Sequence, residues 1–273
     1  MSSWLDRPAC DTQITHRQRL WLYAVAVLVL VFLVAPTLIV IPMSFSDSKF
    51  LEFPPQHWSL RWYAHFLTSP EWMQATWTSV KAALGTMLVA TPCGVAAAYG
   101  LHTSGMRGLR MVYLLLITPM IVPVILLAIG AFYVYARLHL LNTIPGLVLA
   151  HSTLAIPLVL IVVGAGLKSY DMDLEMAARN LGASRLQAFM KITLPQIRYS
   201  VITGALLAFL TSFDEVVMAL FISGGQNSTL TRSMFNSLRD QIDPTITAIS
   251  TLLILITSGL LIAAQCFGKP RRP

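Results

Sequence analysis

The chain alternates between long apolar runs and shorter polar stretches. Each apolar run is about as long as the roughly 20 residues that a helix needs to cross a bilayer. The pattern predicts an all-α polytopic membrane protein with one transmembrane domain at 21–267 and six transmembrane helices, at about 21–43, 75–101, 111–135, 146–167, 199–222 and 245–267. A polar segment at 1–20 and a basic tail at 268–273 flank this domain, and the polar stretch 223–244 is predicted as an external loop.

The longest polar interruption in the second half of the chain is the 168–198 loop. It is rich in helix-forming residues but too charged to lie in lipid. Gly182 tolerates the left-handed conformation that ends a helix, and Ser184 can cap a second helix at 185–192. The sequence therefore predicts two short helices joined by a glycine bend.

Charges within the 168–198 loop are ordered as a helix favours, with acids first and bases later. Glu175 precedes Arg179 by four residues, the spacing of an exposed ion pair on one helix face. Two interpretations are open at this point. The loop is either an amphipathic linker on the membrane surface or a surface that another protein grips.

Composition supports a membrane protein and gives its orientation. Of the 273 residues, 56% are hydrophobic and only 11% are charged, against roughly 25% charged residues in soluble domains. The net charge is +7. Most of the basic residues lie in the terminal segments, in the loop between the second and third runs, and in the 168–198 loop. The positive-inside rule therefore predicts that both termini and the 168–198 loop are cytoplasmic.

One adjacent pair of acids lies within an apolar run, Asp214 and Glu215 in the predicted fifth helix. A charged side chain at the bilayer centre costs about 2.5 kcal/mol or more, so such residues are candidates for a functional site. We expect at least one of them to face a solute pathway. The structural alternative is that one acid pairs with Lys81 or caps a neighbouring helix.

Prolines interrupt two of the predicted transmembrane helices. Pro119 and Pro123 lie in the third and Pro157 in the fourth. A proline inside a span frees a backbone carbonyl and bends the helix, which is tolerated where protein or a water-filled cavity covers the freed group. We expect these three residues to shape helices around a pathway.

Motifs for self-contained catalysis are missing. A P-loop needs G-x-x-x-x-G-K-[ST], and the closest segment, at 164–169, has the wrong spacing. The three cysteines are scattered and lack metal-ligand spacing. The chain is therefore predicted not to be an enzyme and to hold no metal or other cofactor, and no basic surface interleaved with aromatics indicates nucleic-acid binding. If ATP drives the protein, a partner hydrolyses it.

A gapped motif in the 168–198 loop resembles the cytoplasmic signature of permease subunits of ABC importers: Glu-Ala-Ala, three residues, Gly, nine residues, Ile-x-Leu-Pro. Met176 stands at the Glu position, and Glu175 comes one place earlier. The resemblance implies a type I importer fold and ATPase-coupling helices. The loop residues it assigns to coupling are Glu175, Met176, Ala177, Ala178, Arg179, Gly182, Ala183, Ile192, Leu194 and Pro195.

The resemblance also implies partners and a place in the cell. Two ATP-binding cassette subunits, which use ATP and Mg, would bind the coupling helices. A second permease, usually non-identical, would complete the pathway, and a periplasmic or surface solute-binding protein would deliver the solute. The expected location is the lipid bilayer of a bacterial inner membrane.

Within that family the chain looks most like polyamine-type permeases. The similarity lies in 212–217 and 221–224, and it adds Ser212 to Asp214 and Glu215 as expected pathway residues. Thr231 stands where that group commonly has proline. A cationic solute such as putrescine or spermidine is therefore expected, and amino acids, 4-aminobutyrate and opine-like compounds are alternatives. A stand-alone secondary transporter is a rival class, but the sequence shows no internal repeat.

Overall fold

The computed structural model describes residues 15–105, 108–240 and 243–267, and within these ranges every regular element is helical. The predicted terminal segments lie largely outside the described residues: 1–14 of the first and all of 268–273. The chain divides into two compact units, one made of 1–66 with 242–254 and the other of 67–241 with 255–273.

The first unit holds a long apolar helix and a short amphipathic one. Helix α1, Leu20–Met43, follows the predicted first apolar run and contains no buried residue. Helix α2, Arg61–Thr68, buries two aromatic side chains, Trp62 and Phe66. The Ser44 hydroxyl lies 2.7 Å from the Tyr63 hydroxyl, which fixes the end of α1 against α2.

The last helix, α13, runs from Thr245 to Phe267 and begins in the first unit. The carboxylate of Asp243 caps it by accepting a hydrogen bond from the Thr245 amide at 2.9 Å. His65 of α2 contacts the Thr245 hydroxyl at 3.0 Å. Ala248 is fully buried, so the first turns of α13 pack as part of this unit.

Three helices form the core of the second unit: α3, Pro70–Thr103; α6, Ile144–Lys168; and α10, Arg198–Asp214. Ser69 caps α3 and Thr143 caps α6, each by accepting a backbone N–H. Small residues of α3 recur every four positions and let α6 approach closely. Ala90, Gly94 and Ala98 of this stripe are all buried, as their spacing predicts.

The predicted third transmembrane helix is two helices. Helix α4, Leu109–Ile121, and helix α5, Val124–Arg137, meet at an angle of 98°. Val122 between them is extended, because the ring of Pro123 disfavours a helical conformation for the residue before it. A bend was expected from the prolines, but the break is sharper than a kink.

The predicted fifth helix, 199–222, is also discontinuous. Helix α10 ends at Asp214, Glu215 is extended, and helix α11, Val217–Ile222, follows. The predicted external loop 223–244 is largely helical, because α12 covers Leu230–Asp240. Side chains of α11 pack with α5, α6 and α3 in a second apolar cluster of the unit.

The 168–198 loop contains the expected glycine bend. Helix α7, Asp173–Asn180, ends before Gly182, whose φ of +94° is the left-handed conformation that favours glycine. Ser184 then forms a capping box at the start of α8, Arg185–Ala188. Both local predictions are confirmed.

The second helix of this loop is not regular over 185–192. It widens into a π turn at Phe189–Thr193 and resumes as α9, Leu194–Gln196. Pro195 has no N–H, and its ring would clash with the carbonyl four residues earlier. The wider turn before Pro195 avoids that clash, and the chain then bends by 80° into α10.

The number of helices that are able to cross a membrane differs from the predicted six. Among the described residues, three helices are long and apolar enough to cross a membrane, and the number rises to five if each bent pair counts as one span. The shortfall has three causes: the predicted third helix is broken between α4 and α5, α10 ends at Asp214, and the apolar part of α13 that the structure describes is short.

Candidate functional site

Glu175 is the most buried acid of the 168–198 loop, with 2% of its surface exposed. Its Oε1 accepts a hydrogen bond from the Tyr99 hydroxyl at 2.6 Å, and its Oε2 accepts one from the Thr193 hydroxyl. No ion pair joins it to Arg179 in the part of the chain that the structure describes, which corrects the expected exposed pair. Two hydroxyl donors satisfy this buried carboxylate instead.

Arg185 adds further contacts between the loop and the end of α3. Its Nη2 donates to the Thr103 hydroxyl at 2.7 Å, and its guanidinium lies 5.6 Å from the centre of the Tyr99 ring. The Tyr99 ring also packs on Phe189 with centroids 4.6 Å apart. Both helical segments of the loop are thus fixed to the last turns of α3.

Large apolar side chains of the loop are exposed. Leu181 has 90% of its surface exposed and Leu186 has 71%. Leu174, Met176 and Met190 are each about half exposed. We call these five residues the exposed apolar patch. Soluble surfaces seldom present so many large apolar groups within one short loop, so these residues are suited to binding another protein.

The other loop residues that the resemblance assigned to coupling divide between the exposed and the partly buried. Ala177, Arg179, Gly182 and Pro195 are exposed, whereas Ala178, Ala183, Ile192 and Leu194 are partly buried.

An open cleft of about 660 Å³ separates the last turns of α3 from α8, α9 and the start of α10. Its walls are mostly apolar, and they include Val95 and Ala96 on one side and Leu186 and Met190 on the other. Two residues of the exposed apolar patch therefore also line this cleft.

Asp214 and Glu215 lie at the break between α10 and α11. Asp214 is exposed and has no hydrogen bond or ion pair within the described residues. Glu215 is partly buried, and its Oε1 accepts a hydrogen bond from the Met218 amide at 2.9 Å. One acid therefore caps a helix, as the structural alternative proposed. Lys81 pairs with neither acid in the described ranges.

The start of α12 packs on this break. The Thr231 hydroxyl donates to the Glu215 carbonyl at 3.1 Å. Arg232 donates to the Ala219 carbonyl of α11 at 3.1 Å, and the same oxygen accepts from the Ser223 amide at 3.0 Å. Burial lowers the pKa of the Arg232 guanidinium from its ordinary value. The start of α12 is thus joined to the break and to α11 by side-chain hydrogen bonds to backbone carbonyls.

Ser212 lies one turn before the acids but is 3% exposed. Its hydroxyl donates to Thr86 Oγ1 at 3.1 Å and lies 2.8 Å from His151 Nδ1. This chain of side chains joins α3, α6 and α10. The expected pathway role of Ser212 stays a prediction, and its contacts are those of a packing residue.

The prolines occupy different settings. Pro119 lies within α4 and Pro123 stands at the break before α5. Pro157 is buried inside α6, which continues through it. Only Pro123 coincides with a break. Among the described residues no group of three or more His, Cys, Asp or Glu is arranged to hold a metal ion.

Sequence reasoning missed the partners of Glu175. Tyr99 precedes Glu175 by 76 residues, and no local spacing links them. Thr193 lies inside the motif but at its variable position. Arg232 was also missed, although a cation in the first turn of a helix that follows a short polar turn is a recognisable candidate for a contact with the end of the preceding helix.

A family model matches most of the chain. Residues 90–267 match the model described as binding-protein-dependent transport system inner membrane component. The match includes the 168–198 loop, the break at Asp214 and Glu215, and α12.

Curated relatives extend the similarity to nearly the full length. The putrescine transport system permease protein PotI of Escherichia coli K12 is 32% identical over 241 residues, covering 86% of this chain and 85% of its own length. The spermidine/putrescine transport system permease protein PotC of the same strain is 28% identical over 240 residues, covering 88% of this chain and 90% of its own length.

A solved structure shares the fold. The crystal structure of a bacterial alginate ABC transporter in complex with an alginate pentasaccharide-bound periplasmic protein matches with a TM-score of 0.70 at 14% identity. The match covers 92% of this chain and 93% of the other.

Proposed function

This chain belongs to the family of binding-protein-dependent transport system inner membrane components, and we propose that, as the permease subunit of an ABC importer, it forms half of the pathway for a polyamine such as putrescine or spermidine. The observation that carries the solute class is the similarity to PotI and PotC over more than four fifths of the chain.

Electrostatics at the helix break supports a cationic solute. The C-terminal end of a helix carries a partial negative charge, and α10 ends at the exposed carboxylate of Asp214. Half-helix ends of this kind coordinate cations in other transporters. An amine is attracted to such a point and an anion is repelled. Amino acids, 4-aminobutyrate and opine-like compounds, which also carry an amine, are the alternatives.

The exposed apolar patch supports an ATPase partner. Leu181 directly follows α7 and Leu186 lies on α8, on the two sides of the Gly182 bend, where the signature motif of ABC importer permeases is found. Covering such side chains is favourable by roughly 25 cal/mol per Å² of buried apolar surface. Two ATP-binding cassette subunits, which hydrolyse ATP with Mg, bind here and on a second permease subunit.

The distribution of basic residues supports a membrane topology with the 168–198 loop inside and the solute-accepting face outside. An even number of membrane crossings, as in the proposed six, puts both termini on one side, and the distribution of Lys and Arg favours the cytoplasm for them and for the 168–198 loop. A periplasmic binding protein delivers the solute to the outer face, as the complex of the structural neighbour suggests. Exposed apolar α1 then faces lipid or the second permease.

Affinity purification from the native membrane tests this proposal. We expect an ATPase and a second permease to co-purify, and we expect liposomes holding the complex and its binding protein to take up radiolabelled putrescine only with ATP. Uptake of 4-aminobutyrate in place of putrescine would change the solute class. A chain that purifies alone and moves solute without ATP would refute the importer assignment.

A further inference from the structure

Glu175 points inward from a helix whose other side chains are largely exposed. Leu174 and Met176 on either side are about half exposed, whereas Glu175 is 2% exposed. The carboxylate is therefore not part of the surface that a partner covers. Its position is set from within the chain, by two hydroxyl donors.

Each carboxylate oxygen is held by a different element. Oε1 accepts from Tyr99 near the end of α3, and Oε2 accepts from Thr193 in the π turn before α9. Hydrogen bonds to a charged group are shorter and stronger than those between neutral groups. Leaving a buried carboxylate without its donors is costly, so the three residues are held together whenever the loop keeps its fold.

The π turn places Thr193 correctly for this contact. Thr193 is fully buried and is the last residue of the turn. Such turns are rare and are often found at functional sites. Arg185 and Phe189 also pack on the ring of Tyr99, whose hydroxyl donates to Glu175. The loop thus has one charged anchor and one aromatic anchor on α3.

Helix α3 is the element through which a movement of the loop reaches the core. It packs along α6, where Gly94 allows a close approach, and it contacts α10. A force on the exposed apolar patch would not reach α3 if α7 could rotate freely about the Gly182 bend. The Glu175 bonds remove that freedom, because they fix α7 to α3 and to the second helical segment at once.

We propose that Glu175 is a positioning residue for energy coupling: with Tyr99 and Thr193 it forms a link that makes both helical segments of the 168–198 loop move with α3. The inference rests on the proposed function, since it requires an ATPase on the loop. Without the link, the ATPase still binds and hydrolyses ATP, but its closure no longer moves the core.

Hydroxyl removals test the link with little change in volume. The complete importer, with its ATPase, second permease and binding protein, is reconstituted in liposomes, and putrescine uptake and ATP hydrolysis are measured together. In the Tyr99→Phe, Thr193→Val double variant we expect putrescine moved per ATP to fall about tenfold, with ATP hydrolysis within about twofold of the unmodified complex.

Substitutions of Glu175 supply rescue and control. Glu175→Leu should behave like the double variant. Glu175→Gln should keep coupling within about threefold, because the amide accepts from one hydroxyl and donates to the other. Asp173→Asn, which neutralises an exposed acid on the same helix, should leave the ratio unchanged.

The outcomes separate this inference from the assignment on which it rests. An unmodified chain that assembles with no ATPase would overturn both. An assembled complex whose double variant keeps its normal putrescine-to-ATP ratio would overturn the link alone. A parallel loss of assembly, hydrolysis and uptake, with the ratio unchanged, would also overturn it, because the three residues would then only stabilise the loop.

Discussion

Gly94 of α3 lies directly against Val159 of α6. A Cβ atom built on Gly94 would fall 2.6 Å from the Val159 Cβ, closer than such atoms approach in proteins. A Cβ built on Gly204 of α10 would lie 3.3 Å from the same valine side chain. One fully buried valine therefore lies between glycines of two helices, and the packing of α3 on α6 depends on the absence of a side chain at Gly94.

Adding a methyl group at this contact tests its importance. In Gly94→Ala, α3 and α6 must separate, and we expect a loss of about 1–3 kcal/mol of stability. The measurement is the thermal midpoint of the purified protein in detergent. Gly100→Ala is the matched control on the same helix, because a Cβ there meets nothing within 4 Å. Equal midpoints for the two variants would contradict the close contact.

Substitutions of Gly182 test the effect of backbone conformation alone. A Cβ on Gly182 meets no atom within 4 Å, so strain there comes from its φ of +94°. We expect Gly182→Val to shift the bend between α7 and α8, at a cost of roughly 1–2 kcal/mol, and to reduce coupled uptake without loss of the protein from the membrane. Gly182→Asn should retain uptake, because asparagine tolerates the left-handed conformation. Full coupling in the valine variant would argue against the bend as part of the ATPase contact.

Local signals in the sequence predicted several features of the loop correctly. Gly182 and Ser184 act through their own backbone and their nearest neighbours, so residue type and spacing were sufficient to place the bend and the capping box. The small-residue stripe of α3 is local in the same sense, because its four-residue spacing is set by one helix alone.

Features that depend on a distant partner or on the path of the backbone were not predictable. Glu175 was expected on an exposed face because its tyrosine partner lies 76 residues away. The break at Glu215 was missed because the apolar residues on both sides read as one continuous run. Helix α12 was assigned to a loop because it is polar overall, although Leu230, Met234 and Leu238 repeat at helical spacing.

The buried chain of Ser212, His151 and Thr86 predicts a stability effect. Within the described residues His151 Nε2 has no partner, and Ser212 is the partner of Nδ1. Ser212→Ala would leave both ring nitrogens unsatisfied, so we expect a loss of about 1–3 kcal/mol in the same thermal assay. Ser152→Ala on α6 is the control, because among the described residues that hydroxyl bonds only to the Val148 carbonyl of its own helix. A smaller loss of stability in Ser212→Ala than in Ser152→Ala would show that the interhelical hydrogen bonds of Ser212 do not stabilise the protein.

The two acids at the helix break should differ in their effect on uptake. Asp214 is exposed and unpaired within the described residues, so Asp214→Asn removes a charge without breaking a contact. We expect this variant to take up putrescine several-fold more slowly, with unchanged stability, because the attraction between the carboxylate and a cation is lost. Glu215→Gln keeps a carbonyl oxygen that accepts a hydrogen bond from the Met218 amide, so it should retain most of the uptake.

The measurement for both variants is initial putrescine uptake in liposomes at two salt concentrations. Screening should shrink the difference between Asp214→Asn and the unmodified chain at the higher one, since Asp214 is open to solvent. Uptake that is normal in Asp214→Asn and lost in Glu215→Gln would reverse the assignment and make the capping acid the one on which transport depends.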